Sequence, residues 1–190
     1  MMTEIYMVRH AHSVYTQNEY GRGLSEQGKK AAKNLTEILR NENIDFILSS
    51  PYRRAVETVK GIATHIGKTV QLVDGFKERT LAEKPVENFN DAIDKLWSEP
   101  AFSFPGGESN EVAQARGVTS LRKVLKQHED KRVVVGTHGN IMVLMMNYFN
   151  PNFDRTFWNQ LEMPDVYKLT FVKENLIDVQ HIKLHKEVAE

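Results

Sequence analysis

Three short apolar runs, each passing into polar residues and then into a helical pattern, constrain this chain most. Glu4-Ile5-Tyr6-Met7-Val8 runs into Arg9-His10-Ala11-His12. Ile44-Asp45-Phe46-Ile47-Leu48 runs into Ser49-Ser50-Pro51-Tyr52-Arg53-Arg54, and Val133-Val134-Val135 into Gly136-Thr137-His138-Gly139-Asn140. Repeated strand-then-helix order predicts a largely parallel sheet, and open α/β sheets bind ligands outside the carboxyl ends of their strands. Converging there, the three ends supply two imidazoles, two guanidiniums and a helix N-terminus. Such a pocket suits an anion, and phosphoryl chemistry above all.

The remaining pattern fills out the same fold. Ser25 is placed to cap a helix running through Arg40, with Ala31, Ala32, Leu35, Ile38 and Leu39 at helical spacing. Ala55, Val59, Ile62, Ala63 and Ile66 mark a second helix, closed by Gly67, and 70–73 reads as a short strand. Residues 74–110 are punctuated by Gly75, Pro85, Pro100, Pro105, Gly106 and Gly107, with one short helix near 86–98. An irregular stretch of that length inside a compact domain is often a binding segment, and a surface connection is the plain alternative. A helix over 109–127 turns Val112, Val118, Leu121, Val124 and Leu125 inward. A strand at 132–135 and a helix at 140–149 follow, and the tail reads as a hairpin turning at Glu174-Asn175. The expectation is one domain over 1–190: a three-layer α/β/α sandwich on a mostly parallel mixed sheet, with 74–110 on the substrate side.

Composition narrows the function classes. The chain has 190 residues, 41% of them hydrophobic, with 25 basic and 25 acidic side chains. A formal net charge of zero argues against a general nucleic-acid or anionic-membrane binder. There is no cysteine, which excludes disulfides, thiolate metal sites and a cysteine nucleophile, and fits a reducing cytosol. No basic region followed by an apolar run opens the chain, and no apolar stretch approaches the roughly 20 residues that span a bilayer. A cytoplasmic protein is expected, with its oligomeric state open.

The chemistry centres on His10. A lone histidine is usually a surface or structural residue, but this one ends a strand, follows Arg9 and precedes a second histidine. Neighbouring cations keep an imidazole neutral, a neutral imidazole can attack phosphorus, and the same cations hold the charge on the transferring group. His10 and His12 alternate on an extended segment and could instead begin a metal site with His138, although no carboxylate falls near the strand ends. Arg53 and Arg54 point about 100° apart at a helix start. One can aim into the pocket while the other pairs with Glu57 in solvent, and Arg54 fits the inward role better. Pro51 suits the first helical position and Ser50 its N-cap. Gly139 permits close backbone approach beside His138, ahead of a helix N-terminus that can face an anion. A leaving oxygen needs a proton, and Glu78, Glu83, Glu108 and Glu111 are the candidate donors.

These residues resemble the histidine phosphatase superfamily, which includes cofactor-dependent phosphoglycerate mutases. Arg9-His10-Ala11-His12-Ser13 is similar to its Arg-His-Gly-(Glu/Gln)-(Ser/Thr) motif, and Leu24-Ser25-Glu26-Gln27-Gly28 to its Leu-Thr-Glu-x-Gly helix start. Ser49 to Thr58 resembles Ser-Ser-Pro-x-x-Arg-Ala-x-x-Thr. Pro105-Gly106-Gly107-Glu108-Ser109 and Thr137-His138-Gly139-Asn140 are similar to two further family segments. The resemblance runs over roughly 4–150, in order. It implies that His10 is the nucleophile, that Arg9, Arg54 and His138 bind the phosphoryl group, and that Glu78 is the proton donor. It selects Arg54 over Arg53, because the family arginine directly precedes Ala, and it implies no metal or organic cofactor. Thr16 stands where many members carry Asn, and its hydroxyl is a further phosphate ligand in this reading, as is Gly139. Ala11 and His12 depart from the motif.

The function expected is hydrolysis of a small phosphomonoester through a phosphohistidine. The alternatives are mutase-type phosphoryl transfer and a non-catalytic phospho-ligand module. The stretch from Glu78 to Pro105 is short beside the closing insertion of the mutases, which favours access of water. Specificity is expected in 13–23 and 76–110, with Phe76, Lys77, Arg79, Phe89, Trp97, Phe102 and Phe104 as candidate lining residues.

Overall fold

In a computed structural model of the protein, residues 2–184 are described. The chain runs β1 (Thr3–Arg9), α1 (Glu26–Leu39), β2 (Phe46–Ser49), α2 (Arg53–His65), β3 (Val70–Leu72), a 3-10 turn (Asp74–Phe76) and α3 (Phe89–Ser98). It continues through α4 (Asn110–Gln127), β4 (Arg132–Thr137), α5 (Gly139–Phe149), α6 (Arg155–Gln160), β5 (Asp165–Val172) and β6 (Asn175–His181). The six strands lie in the order β3-β2-β4-β1-β5-β6. The pairs β2–β3, β2–β4 and β1–β4 are parallel, while β5 joins antiparallel to β1 and β6 to β5. The expected mostly parallel mixed sheet is the observed one.

The apolar run of β1 is continuous because both faces of the sheet are covered. Ile5 and Met7 point into a core shared with α4 and α5, containing Val118, Leu121, Val124, Val133, Val135, Ile141 and Met145. Tyr6 and Val8 point the other way, into a core with Leu35 and Leu39 of α1, and Val59 and Ile62 of α2. The chain therefore crosses from one face to the other when β4 enters between β1 and β2. A change of face beside a strand inserted between earlier ones makes a crevice at the strand carboxyl ends. Register brings those ends level: Arg9 pairs with Thr137 and Ser49 with Gly136. Beyond the strands, His10 N–H donates to Thr137 O at 3.0 Å and Ser50 N–H to Gly136 O at 2.8 Å.

Several local expectations are corrected. α2 starts at Arg53 with Tyr52 as its N-cap, not at Pro51 behind Ser50. The Ser50 hydroxyl accepts from Tyr52 N–H at 3.3 Å in the turn before the helix and lies 2.8 Å from His138 Nε2. Val112 is 57% exposed rather than inward, and the hairpin turns one residue earlier than expected, with Lys173 at φ 55°. The short helix α6 was not expected at all. Among the described residues no helix is long and apolar enough to cross a membrane.

Candidate active site

His10 follows β1 and is 7% exposed. Its Nδ1 lies 2.8 Å from the Ala11 carbonyl, an acceptor, so the ring proton sits on Nδ1. Nε2 is left with its lone pair and accepts from Arg54 Nε at 3.2 Å. Burial, then the Arg54, Arg9 and Arg22 guanidiniums, push the imidazole down to about 3 against the pull of the Ala11 carbonyl. His138, fully buried after β4, stands with its ring 5.2 Å from that of His10. Burial holds it well below the ordinary histidine range, with His10 and Arg54 acting in the same direction.

Arg54, the second residue of α2, is 2% exposed, while Arg53 is solvent-facing and pairs with Glu57 at 2.6 Å. Thr58, one turn on, ties the two halves together: its hydroxyl donates to Arg54 O at 2.7 Å and accepts from Ala11 N–H at 2.9 Å. The Ala11 methyl is buried with Leu24 and Ala32 in a small cluster under α1. His12 instead faces the start of α1, its Nδ1 2.8 Å from the capping hydroxyl of Ser25. Arg9 donates to the carbonyls of Leu161 and Glu162 at 3.0 and 3.2 Å. A Cβ on Gly139 would sit 3.0 Å from Arg9 Nε and 3.2 Å from Trp158 Nε1, so the glycine makes room for both.

Glu78 is brought to the same crevice, at the start of α5. Its Oε2 accepts from Asn140 N–H at 3.0 Å, and its Oε1 from Ile141 N–H at 2.9 Å and Arg79 N–H at 2.8 Å. The donors at this helix N-terminus, expected to face a ligand anion, are therefore taken by a protein carboxylate. Glu108 serves a different purpose. It forms a two-point pair with Arg116 at 2.8 and 2.9 Å and accepts from Thr80 N–H. Arg116 also donates to the carbonyls of Gly75 and Lys77, which fixes the backbone entering Glu78. Gly107 completes the brace, because a Cβ there would meet Leu81 O at 2.2 Å.

Thr16 is exposed, and its hydroxyl donates to Asn18 O rather than to another candidate residue. Of the expected lining residues, Phe76 is core and Phe102 packs against Phe104. The rim beside the histidines is instead aromatic: Tyr52 lies edge-on to His138 at 5.0 Å and 4.6 Å from Tyr20, with Lys77 above Tyr20. Sequence reasoning missed Glu19, Arg22, Arg116, Tyr20, Tyr52 and Trp158. Arg22 and Tyr20 lie in a segment marked for specificity, but loop residues carry no period that says which way they point.

Phosphoserine phosphatase 1 of Hydrogenobacter thermophilus is 32% identical over 152 residues, 72% of this chain and 71% of that protein. The metal-independent phosphoserine phosphatase of Arabidopsis thaliana is 30% identical over 160 residues, 74% of this chain and 66% of that protein. A mycobacterial glucosyl-3-phosphoglycerate phosphatase shares the fold, with a TM-score of 0.76 at 19% identity over 95% of this chain and 97% of that one. The sequence model of the histidine phosphatase superfamily (branch 1) matches residues 5–176, and the chain belongs to that superfamily.

Proposed function

We propose that this protein hydrolyses small phosphomonoesters through a phosphohistidine on His10, without a metal. The carrying observation is the state of His10: a buried neutral ring, its proton directed at the Ala11 carbonyl and its unprotonated Nε2 accepting from the Arg54 guanidinium. In the first step Nε2 forms a bond to phosphorus as the ester P–O bond breaks, and Glu78 gives a proton to the leaving oxygen. For that attack Arg54 Nε turns from Nε2 to a phosphoryl oxygen, which frees the lone pair, and Arg9 and His138 hold charge beside it. In the second step water attacks phosphorus, the P–N bond breaks, and the water proton returns to Glu78. Glu78 carries two hydrogen bonds on Oε1 and one on Oε2, so Oε2 is the oxygen with room for that proton. Thr16 and Gly139 belong to the phosphate-binding set in this reading. A cytoplasmic setting fits the cysteine-free chain.

The relatives named as phosphoserine phosphatases support a small phosphorylated substrate. A screen of phosphomonoesters, with His10→Ala as control, tests the proposal. The wild-type protein is expected to release inorganic phosphate and to carry an acid-labile, base-stable phosphate after quenching, and His10→Ala to do neither. Isomerisation of a phosphoglycerate faster than phosphate release would replace hydrolysis by mutase transfer. Neither turnover nor trapped phosphate would leave a binding module.

A further inference from the structure

The loop between β1 and α1 carries a carboxylate into the anion site. Glu19 Oε2 lies 3.1 Å from Arg54 Nη2, and its Oε1 lies 3.1 Å from Arg22 Nη1. The Glu19 carbonyl accepts from Arg54 Nη1 at 2.9 Å. With Arg54 Nε on His10, all three nitrogens of this guanidinium are engaged, one by the imidazole and two by Glu19. Arg22 belongs to the same cluster. Its charge bears on His10, His138 and Arg54, and its Nε is buried without a partner.

We propose that Glu19 stands in for the substrate's phosphoryl group in the free protein, and that Arg22 is a further phosphoryl-binding residue, released with Arg54 when the phosphoryl oxygens displace the carboxylate. This rests on the reading above only in taking the His10–Arg54 pocket as the phosphoryl site. A carboxylate and a phosphoryl group present oxygens to a guanidinium fork in the same way, so a residue bridging two forks marks where two phosphoryl oxygens would sit. The substrate brings the greater charge, while Glu19 is half exposed and can swing outward. The loop itself stays tied: Ser13 bridges Leu24, Val14 N–H donates to Gly23 O, and Arg53 N–H donates to Tyr20 O. Release is thus a side-chain movement on a fixed frame. An internal competitor raises the apparent dissociation constant by the inverse of the fraction of molecules in which the site is free.

Calorimetric titration with inorganic phosphate tests this on wild type, Glu19→Ala, Glu19→Gln, Arg22→Met, Arg22→Lys and the Glu19→Ala/Arg22→Met double variant. Glu19→Ala is expected to bind phosphate about tenfold tighter, with a Michaelis constant lowered to match, and Glu19→Gln to lie between it and wild type. Arg22→Met is expected to weaken binding about tenfold, Arg22→Lys to recover part of that loss, and the gain from removing Glu19 to shrink in the double variant. Phosphate affinity that is unchanged or weaker in Glu19→Ala or Glu19→Gln overturns the displacement. Equal affinity in wild type and the Arg22 variants overturns the role of Arg22, and no phosphate binding to any of these proteins overturns both. If the protein binds phosphate yet hydrolyses no ester, the phosphatase reading fails while these affinities still decide on Glu19 and Arg22.

Discussion

Glu78 joins structure and chemistry in one side chain. Its carboxylate closes the first turn of α5 through Asn140 and Ile141, and it is also the proposed proton donor. A glutamine separates the two roles, since it keeps one oxygen acceptor and the shape but has no acid proton. Glu78→Gln turns one acceptor into a donor facing a backbone N–H, which is expected to cost about 1–3 kcal/mol in chemical denaturation. Its turnover of alkyl phosphates is expected to fall by about 10²–10⁴, the usual worth of a positioned acid. Activated aryl phosphates, whose leaving oxygens need little help, are expected to lose far less. Equal losses on both ester types would move the proton to another group.

At the scale of elements, the first turn of α1 is set by contact rather than propensity. The Ser25 hydroxyl caps Gly28 N–H at 3.0 Å, and Ser25 N–H donates to His12 O at 3.0 Å. A Cβ on Gly28 would lie 2.0 Å from that same carbonyl. Gly28→Ala must therefore push α1 off the loop carrying His10. It is expected to cost at least the roughly 1–3 kcal/mol typical of overpacking, and to reduce turnover with it. Gly67→Ala gives the contrast: φ is +66° with nothing within 4 Å of an added Cβ. Strain alone, about 1–2 kcal/mol, is expected there, with turnover unchanged. Paired melting and kinetic measurements distinguish the two. The same contrast explains what could be read from the chain. The inner strands showed themselves as continuous apolar runs, the long helices and the terminal hairpin through period, and Ser25 through its place before a periodic run. Ser50 misled because a capping hydroxyl and a histidine partner look alike in sequence, and only the fold brings His138 to it. α6 is six residues long, too short for a period to show. Glu19, Arg22 and Tyr52 acquire their roles only when a loop folds over the ends of β1 and β2. Glu108 stood out within the Pro-Gly-Gly-Glu-Ser segment, but its pairing with Arg116 and its purpose in holding Glu78 did not.

At the scale of the whole molecule, the buried histidines make stability depend on pH in a set direction. The unfolded chain binds protons at its histidines near pH 6.5. In the folded protein burial, aided by the arginines, pushes His10 down to about 3 and holds His138 far below the usual range, and burial lowers His128 as well. Between those values the unfolded chain holds more protons than the folded one, so stability rises with pH and falls on acidification below about 6.5. Each fully buried imidazole contributes a slope of about 1.4 kcal/mol per pH unit. Glu57 and Glu108 have the same sign in a lower window. Burial raises both, yet the Leu24 N–H and Arg53 outweigh it at Glu57, and Arg116 and the Thr80 N–H at Glu108. Their stabilisation is present above the ordinary glutamate range and is lost below it, which leaves pH 6.5 to about 4.5 to the histidines. Unfolding free energies from urea titrations are expected to fall by about 2–3 kcal/mol per pH unit across that window, and His10→Gln or His138→Gln to remove about half the slope. A flat wild-type profile would mean that the imidazoles charge in the folded protein. His10 would then lose its nucleophilic lone pair to a proton below about pH 6.5, and turnover would fall there. A steep profile in stability beside free-protein kinetics without a loss near pH 6.5 from His10 protonation is the joint result that its burial predicts.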